Sequence, residues 1–298
     1  MNKFKLNKIW YGVGVLLLLN VAVYLALAQS ETRNYARLEF FDIGQGDSIY
    51  LRTVEGNDVL IDGGPGDAVL SKLGEAMPFF DRTIELMVLT HPHADHVSGL
   101  VEVLKRYKVK RVVFSDAPYD SAVYETFLTQ LKQRGIETTR PRAGQRVYLD
   151  GATVLDFYYP ETAEFIKTPS DVNDISAIAK LSFGRTNVLL TGDAGKDIEE
   201  VLLRLGFPLD SEILKVGHHG SRHSTSEGFL SAVSPDAAVI SVGDNNYGHP
   251  HEEVLGLLHE QVPHVYQTDE NGGVIFALYP DHVSRCMDRG CKKQENMK

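Results

Sequence analysis

The sequence has few of the residues that most readily indicate a function. Its 298 residues include only two cysteines, Cys286 and Cys291, both in the polar stretch CMDRGCKKQENMK. They have no further cysteines to complete a metal site, although outside the cytoplasm they can form a small local disulfide. A cysteine-based metal centre is therefore not expected.

Two common catalytic signatures are also absent. No serine lies in a Gly-x-Ser-x-Gly elbow, which argues against a serine hydrolase, and no P-loop is present to cradle a phosphate. Basic residues are outnumbered, with 30 lysines and arginines against 40 acids and a formal charge of −10. The total charge thus predicts no affinity for an anionic polymer.

Only one apolar run is long enough to span a bilayer as a helix. The lysine-rich start MNKFKLNK precedes a stretch without charge from Ile9 to Ala28. Such a run can cross a membrane as a helix, and the lysines before it predict a cytoplasmic start with the remainder exported. Because the run ends in Ala-Leu-Ala, residues 1–28 are either a membrane anchor or a cleaved signal peptide. Either alternative predicts an extracytoplasmic protein, and a single segment cannot form a channel by itself.

The rest of the chain alternates short strands with amphipathic helices. TIELMVLT and NVLLTGD have the composition of buried strands, and each is followed by a segment with helical spacing, VSGLVEVLKRY and AGKDIEEVLLRLG. This order predicts an α/β sandwich of two mixed sheets face to face, with helices on both outer faces. We expect one domain at 35–280 and a polar C-terminal tail at 281–298.

The segment HPHADH is the most informative motif. His91 and His93 lie two residues apart, and Asp95 and His96 follow at once. In an irregular loop, two histidines at this spacing can chelate one ion while the aspartate and third histidine serve a second. Imidazole and carboxylate together suit zinc, manganese or iron, and two ions ~3.5–4 Å apart activate water and stabilise a leaving oxygen. We therefore predict half of a two-metal hydrolytic site here.

Further ligands are expected at the ends of two later strands. NVLLTGD ends on Asp193, which we predict as a bridging ligand, although its place before a helix also suits a cap. EILKVGHHGS carries His218 and His219, of which one binds metal and the other holds the substrate or donates a proton. The residue pattern leaves open which histidine has which role.

These motifs, in this order, resemble the metallo-β-lactamase superfamily. FDIGQGDS, NDISAI, NNYGHP and QTDENGGV resemble more narrowly the nuclease-like domain of the ComEC competence proteins, over nearly the whole chain after residue 35. The resemblance implies an αββα sandwich with the metal ions at one edge. It also implies the following ligands: His91, His93, Asp95, His96, Asp193, and one of His218 and His219.

The sequence departs from a common superfamily pattern at one point. Many members have a further histidine before the Asp193 strand, whereas here no histidine lies between His96 and His218. Asn173 or Asp174 occupies that region instead. We therefore expect two divalent ions, zinc or manganese. One of the two sites either binds its ion weakly or has ligands hard enough to prefer manganese.

Several other residues are predicted to support the centre or the substrate. Asp47 and Asp62 are candidates to accept a hydrogen bond from a metal-bound imidazole, although aspartate is also common in turns. Ser221 lies in a loop rich in hydrogen-bond donors, and His249 follows a strand that ends near the same edge.

The predicted chemistry is hydrolysis of a phosphodiester, with Asp95, Asp193, His218 and His219 as the catalytic residues. The resemblance makes extracellular DNA the leading substrate and makes DNA-uptake channel proteins, supplied by other chains, the expected partners. Two basic stretches, LKRYKVKR and RPRAGQR, are either DNA contacts or solvated surface. Four tyrosines are further candidates to stack on bases, although tyrosines in strands more often belong to the core: Tyr119, Tyr124, Tyr158 and Tyr159. The alternatives are a metallohydrolase of phosphorylcholine esters, lactones or β-lactams, and a non-catalytic DNA-binding surface module.

Overall fold

The computed structural model describes residues 3–29, 34–161 and 171–297. The chain divides into two compact units, Met1–Asn34 and Tyr35–Lys298. The first contains helix α1, Lys3–Gln29. Within the described ranges, no helix is both long and apolar enough to cross a membrane. Membrane anchoring by residues 1–28 thus stays a prediction of the sequence.

The second unit contains two mixed sheets. The larger sheet has nine strands in the order β16-β15-β14-β1-β2-β3-β4-β5-β6. Its strands are β1 Ala36–Phe40, β2 Ile49–Arg52, β3 Asp58–Ile61, β4 Thr83–Leu89, β5 Lys108–Phe114, β6 Glu137–Thr139, β14 Val274–Leu278, β15 Val283–Cys286 and β16 Gln294–Asn296. Strands β3 to β6 run parallel, and the other pairs are antiparallel.

The smaller sheet has seven strands in the order β13-β12-β11-β10-β9-β8-β7. Its strands are β7 Gln145–Tyr148, β8 Thr153–Tyr159, β9 Ile178–Phe183, β10 Thr186–Leu190, β11 Ile213–Lys215, β12 Ala237–Ile240 and β13 His264–Gln267. Strands β10 to β13 run parallel, and β7 to β10 pair antiparallel.

Helices cover the outer face of each sheet. They are α2 Ala68–Ala76, α3 Ala94–Arg106, α4 Ala122–Arg134, α5 Lys196–Leu205, α6 Glu227–Val233, α7 Glu252–Gln261 and α8 Thr268–Asn271. One apolar cluster fills the space between the sheets, a second joins the larger sheet to α2, α3 and α4, and a third joins the smaller sheet to α5, α6 and α7. The predicted sandwich of two mixed sheets between helices is therefore confirmed.

The structure differs from the sequence-based expectation at the C-terminus. In the segment expected to be a polar tail, β15 pairs with β14 and β16 pairs with β15, which extends the larger sheet. Cys286 and Cys291 form a disulfide across the turn between these strands. Strand β16 leaves little trace in the hydrophobic pattern because it is polar and exposed, and it forms by pairing at the sheet edge.

The HPHADH segment also differs from expectation, because only its first half is a loop. Helix α3 begins at Ala94 and includes Asp95 and His96 in its first turn. An acidic residue in the first turn is stabilised by the unpaired N–H groups and the dipole at a helix N-terminus. His96 is thereby held on a rigid helix and not on a loop.

Candidate metal centre

Parallel strands of both sheets end at one edge, and the predicted ligands lie there. Strand β4 leads into His91 and His93, β10 leads into Asp193, and β11 leads into His218 and His219. His91, His96, Asp193 and His219 are buried, whereas His93 and Asp95 are partly exposed. The fold thus brings together groups from two sheets that are far apart in the sequence.

Four of these groups converge on one point. Asp193 Oδ2 lies 3.3 Å from both His96 Nε2 and His219 Nε2, and His219 Nε2 lies 3.3 Å from Asp95 Oδ2. Ligand atoms of all four residues lie within 4.8 Å of one another. Two imidazole nitrogens and two carboxylates at these separations match the donor set that zinc or manganese prefers.

Unpaired buried atoms provide an independent test of this fit. Among the described residues, His96 Nε2 and His219 Nε2 are buried and have no hydrogen-bond partner. A buried polar atom without a partner costs roughly 1–3 kcal/mol, so two of them beside two carboxylates need a further group. A divalent cation held by Asp95, His96, Asp193 and His219 satisfies both nitrogens.

His91 and His93 lie beside this group. His91 Nε2 is 3.8 Å from Asp193 Oδ2 and 3.1 Å from His93 Nδ1, and the ring centroids of His91 and His96 are 4.1 Å apart. Asp193 Oδ2 therefore lies near the imidazoles of His91, His96 and His219. This arrangement suits a carboxylate that bridges two ions.

The pKa values of the buried groups reflect the charges around them. Burial opposes ionisation of Asp193, but His219 and His96 hold the pKa of its carboxyl well below the usual range. Burial likewise opposes charge on His219, but Asp193 and Asp95 raise its pKa to about 9. Burial, together with the charge of nearby His96, lowers the pKa of His91 well below its usual value. The carboxylates thus stabilise positive charge at the point where the four residues meet.

Asp62 orients His96. Its Oδ2 accepts hydrogen bonds from His96 Nδ1 at 2.9 Å and from the Thr90 hydroxyl at 2.7 Å, and its Oδ1 accepts from the Thr90 N–H at 2.8 Å. With Nδ1 engaged, Nε2 of His96 is directed at Asp193, as expected for a carboxylate that supports a metal ligand.

Lys215 was not predicted, yet it is fully buried at the centre. Its ammonium lies 2.5 Å from Asp47 Oδ2 and 3.6 Å from Asp193 Oδ1, and it donates to the Gly192 carbonyl at 2.9 Å. Burial opposes its charge, but Asp47 and Asp193 raise its pKa. Asp47 thus pairs mainly with a lysine, while His219 Nδ1 donates to the Ser241 carbonyl at 2.8 Å. In the sequence, the feature that could have revealed this buried charge is a lysine in an otherwise apolar strand.

The structure separates the positions of the two adjacent histidines. His218 and His219 both have left-handed backbone conformations, with φ of 46° and 54°, which L-residues adopt at a cost. Their ring centroids lie 6.2 Å apart. His219 points into the centre, whereas His218 lines the adjoining cleft and lies 5.4 Å from the His249 ring.

Three other predicted residues lie outside the converging group. Asn173 is buried on a 3₁₀ turn, Val172–Ile175, and its Oδ1 has no hydrogen-bond partner. Asp174 is half-buried on the same turn. Ser221 is buried in the turn after His219, where its hydroxyl accepts from the His223 N–H at 3.3 Å. Ser221 therefore shapes its own loop and does not line the cleft.

A cleft of about 740 Å³ opens onto the centre. Its lining includes three aspartates, Asp95, Asp193 and Asp244, and four histidines, His93, His218, His219 and His249. No lysine or arginine of the described ranges belongs to this lining. Its volume suits an organic ligand of moderate size.

The match to known proteins agrees with this arrangement. Residues 42–244 match the model of the metallo-beta-lactamase superfamily. The chain belongs to the metallo-beta-lactamase superfamily. YhfI of Bacillus subtilis, described as a metallo-beta-lactamase fold protein, superimposes with a TM-score of 0.53 at 13% identity over 80% of this chain and 98% of that one.

Two proteins with similar sequences are competence proteins. ComE operon protein 3 of Bacillus subtilis is 30% identical over 82% of this chain and 34% of its own length. Competence protein ComA of Neisseria gonorrhoeae is 32% identical over 89% of this chain and 35% of its own length. The chain therefore spans about a third of the length of these superfamily relatives, and the resemblance to competence proteins is confirmed.

Proposed function

We propose that this chain is a metal-dependent hydrolase that cleaves phosphodiester bonds of DNA outside the cytoplasm. The observation that carries the proposal is the convergence of His96, His219, Asp95 and Asp193 at the base of an open cleft. The superfamily supports metal-dependent hydrolysis, and the competence relatives support DNA as the substrate.

Each group has a role that follows from its position. Asp95, His96, Asp193 and His219 would hold one cation, and His91, His93 and Asp193 would hold a second. Bound divalent cations polarise the phosphate and lower the pKa of water. His218 stands in the cleft, where it is placed to hold a proton at the leaving oxygen. Burial lowers its pKa, so the ring is neutral at pH 7 and donates an N–H without carrying a charge.

The charges of the cleft explain why metal is needed. A phosphate that enters meets three aspartates and no lysine or arginine among the described residues of the lining. Several side chains of the basic stretches are paired with acids: Lys105 with Glu102, Lys110 with Glu85, Arg140 with Asp116, and Arg146 with Asp156. Bound cations would supply favourable charge for a phosphate inside the cleft.

The test is cleavage by the full chain, supplied with manganese or zinc, of end-labelled single- and double-stranded DNA. Asp193→Asn should lower the rate by more than about 100-fold, because loss of a mere supporting partner already costs 10–100-fold. Asp197→Asn is the matched control, since Asp197 is exposed in the first turn of α5. Equal rates in the two variants would contradict the proposal.

A panel of other substrates covers the alternatives. Turnover of a phosphorylcholine ester, a lactone or a β-lactam, without cleavage of DNA, would replace the nuclease by another metallohydrolase. DNA binding without turnover of any compound would favour a surface module.

The proposed location rests on two features. The lysine-rich start and charge-free run of residues 1–28 have the pattern of an export signal or anchor, and the large apolar side chains from Trp10 to Tyr24 are exposed. The Cys286–Cys291 disulfide suits an oxidising compartment. Channel proteins of DNA uptake, supplied by other chains, are the proposed partners.

A further inference from the structure

The segment Gly243–His251 forms one wall of the cleft and carries an aromatic side chain that has no role in the metal centre. Tyr247 lines the cleft and is 76% exposed. An exposed tyrosine beside a reaction centre is a candidate contact for the substrate, provided that its loop is rigid enough to hold the ring in place.

Asn245 supplies that rigidity from inside the loop. Its Nδ2 donates to the carbonyls of Gly243 and His249 at 2.9 and 2.7 Å, and its Oδ1 accepts from the N–H groups of Tyr247 and His249 at 3.0 and 3.1 Å. One side chain thus closes the turn on both sides. A loop closed in this way pays little ordering entropy when it binds a ligand.

Both ends of the loop are also fixed to the rest of the site. At one end, a Cβ added to Gly243 would lie 2.6 Å from Gln45 N, so this close approach requires glycine. At the other end, His251 N–H donates to the Gly220 carbonyl at 2.8 Å, directly after the turn that carries His219. The loop and the candidate ligand turn therefore hold each other in position.

A row of rings leads from the solvent to the centre. The centroids of Tyr247 and His249 are 5.9 Å apart, those of His249 and His218 are 5.4 Å apart, and those of His218 and His219 are 6.2 Å apart. A single strand with its phosphate at the centre can therefore run along this row, so that a base near that phosphate lies beside the Tyr247 ring.

From this geometry we infer that Tyr247 stacks on an unpaired nucleobase near the scissile phosphate. Base–aromatic stacking tolerates any base, and it requires a base that is free of its duplex. The inference rests on the proposed function and narrows it, because the substrate at this site is a single strand or an unpaired end. Tyr124, Tyr158 and Tyr159 are buried in the core and do not take this role.

The test compares two single-stranded oligonucleotides that differ only near the cleaved bond. The first has normal bases there, and the second has abasic sugars at the positions that flank that bond. For the full chain with manganese, Tyr247→Ala should lower kcat/KM on the first by roughly 5-fold to 150-fold, the range that stacking of one base supports. The same variant should leave kcat/KM on the abasic strand unchanged, and Tyr247→Phe should behave as the wild type on both.

Tyr148→Ala is the matched control, because Tyr148 is 68% exposed on β7 and does not line the cleft. Equal kcat/KM of Tyr247→Ala and wild type on the normal strand would overturn the inference. An equal loss on both strands would also overturn it, because the ring would then serve the shape of the site and not the base. If the wild type cleaves neither strand but hydrolyses another ester, the proposed function fails, and the stacking role fails with it.

Discussion

At the scale of single residues, the centre depends on how the two oxygens of Asp193 are divided. Oδ2 faces His91, His96 and His219, whereas Oδ1 faces Lys215 at 3.6 Å. The lysine therefore lies on the Oδ1 side of the carboxylate, and Oδ2 is the oxygen that a cation could share with the histidines. Lys215 acts through Asp193 and does not reach the cleft.

Replacing Lys215 by methionine should lower the free energy of unfolding by about 3–5 kcal/mol, because Asp47 is then buried without a partner. The double variant with Asp47→Asn removes both charges of the pair, and most of that stability should return. It should nevertheless bind manganese about 10-fold to 100-fold more weakly, since Asp193 has lost its orienting partner.

Urea unfolding and calorimetric titration with manganese separate these two effects. The comparison is informative because the double variant leaves the net charge beside Asp193 unchanged. Manganese affinity equal to that of the wild type in the double variant would show that Lys215 only offsets the charge of Asp47.

At the scale of the elements, α5 holds the loop that follows the candidate ligand turn. The Glu199 side chain is 2% exposed, and its two oxygens accept from the N–H groups of Thr225 and Ser226 at 2.5 and 2.7 Å. Ser226 in turn caps α6, since its hydroxyl accepts from the Phe229 N–H. One carboxylate thus joins α5, the loop and the start of α6.

Glu199→Gln should lower the free energy of unfolding by about 1–3 kcal/mol. The amide keeps one acceptor oxygen, but its NH₂ group faces the second backbone N–H donor. Burial raises the pKa of Glu199 above 4.5, although the two N–H donors act against it. The folded protein therefore retains a proton that the unfolded chain releases, and stability should fall as the pH rises above 4.5.

Urea unfolding between pH 4.5 and 7 measures both effects. The pH slope that Glu199 contributes should disappear in the glutamine variant and persist in Glu200→Gln, a change at an exposed neighbour on the same helix. Identical slopes in all three proteins would show that this carboxyl does not titrate differently on folding.

At the scale of the whole molecule, the sequence predicted the sandwich of sheets and helices better than the contacts between residues that are distant in the chain. Alternation of buried strands and amphipathic helices is a local pattern, and it predicted the sandwich. Which of His218 and His219 enters the centre depends on two consecutive left-handed residues, which no hydrophobic pattern encodes. Lys215 meets Asp47 only because β11 and the loop after β1 come together in space. Strand β16 was missed because pairing at a sheet edge leaves little trace in hydrophobicity.

The location of the whole chain can be tested with a C-terminal reporter enzyme that is active only outside the cytoplasm. The fusion to the full chain should be active, and the fusion that begins at Tyr35 should be inactive, because it lacks the lysine-rich start and the charge-free run. In the exported protein, Cys286 and Cys291 should resist a thiol reagent until a reductant is added. Activity of both fusions would show that residues 1–28 do not direct export.

The candidate ligands come from both sheets: His96 follows a strand of the larger one, and Asp193 and His219 follow strands of the smaller one. A cation held among them is therefore also a cross-link between two halves of the chain. It closes a long loop in the folded state, and it adds its binding free energy to folding. A metal bound there would then also join the two sheets at the edge where the cleft lies.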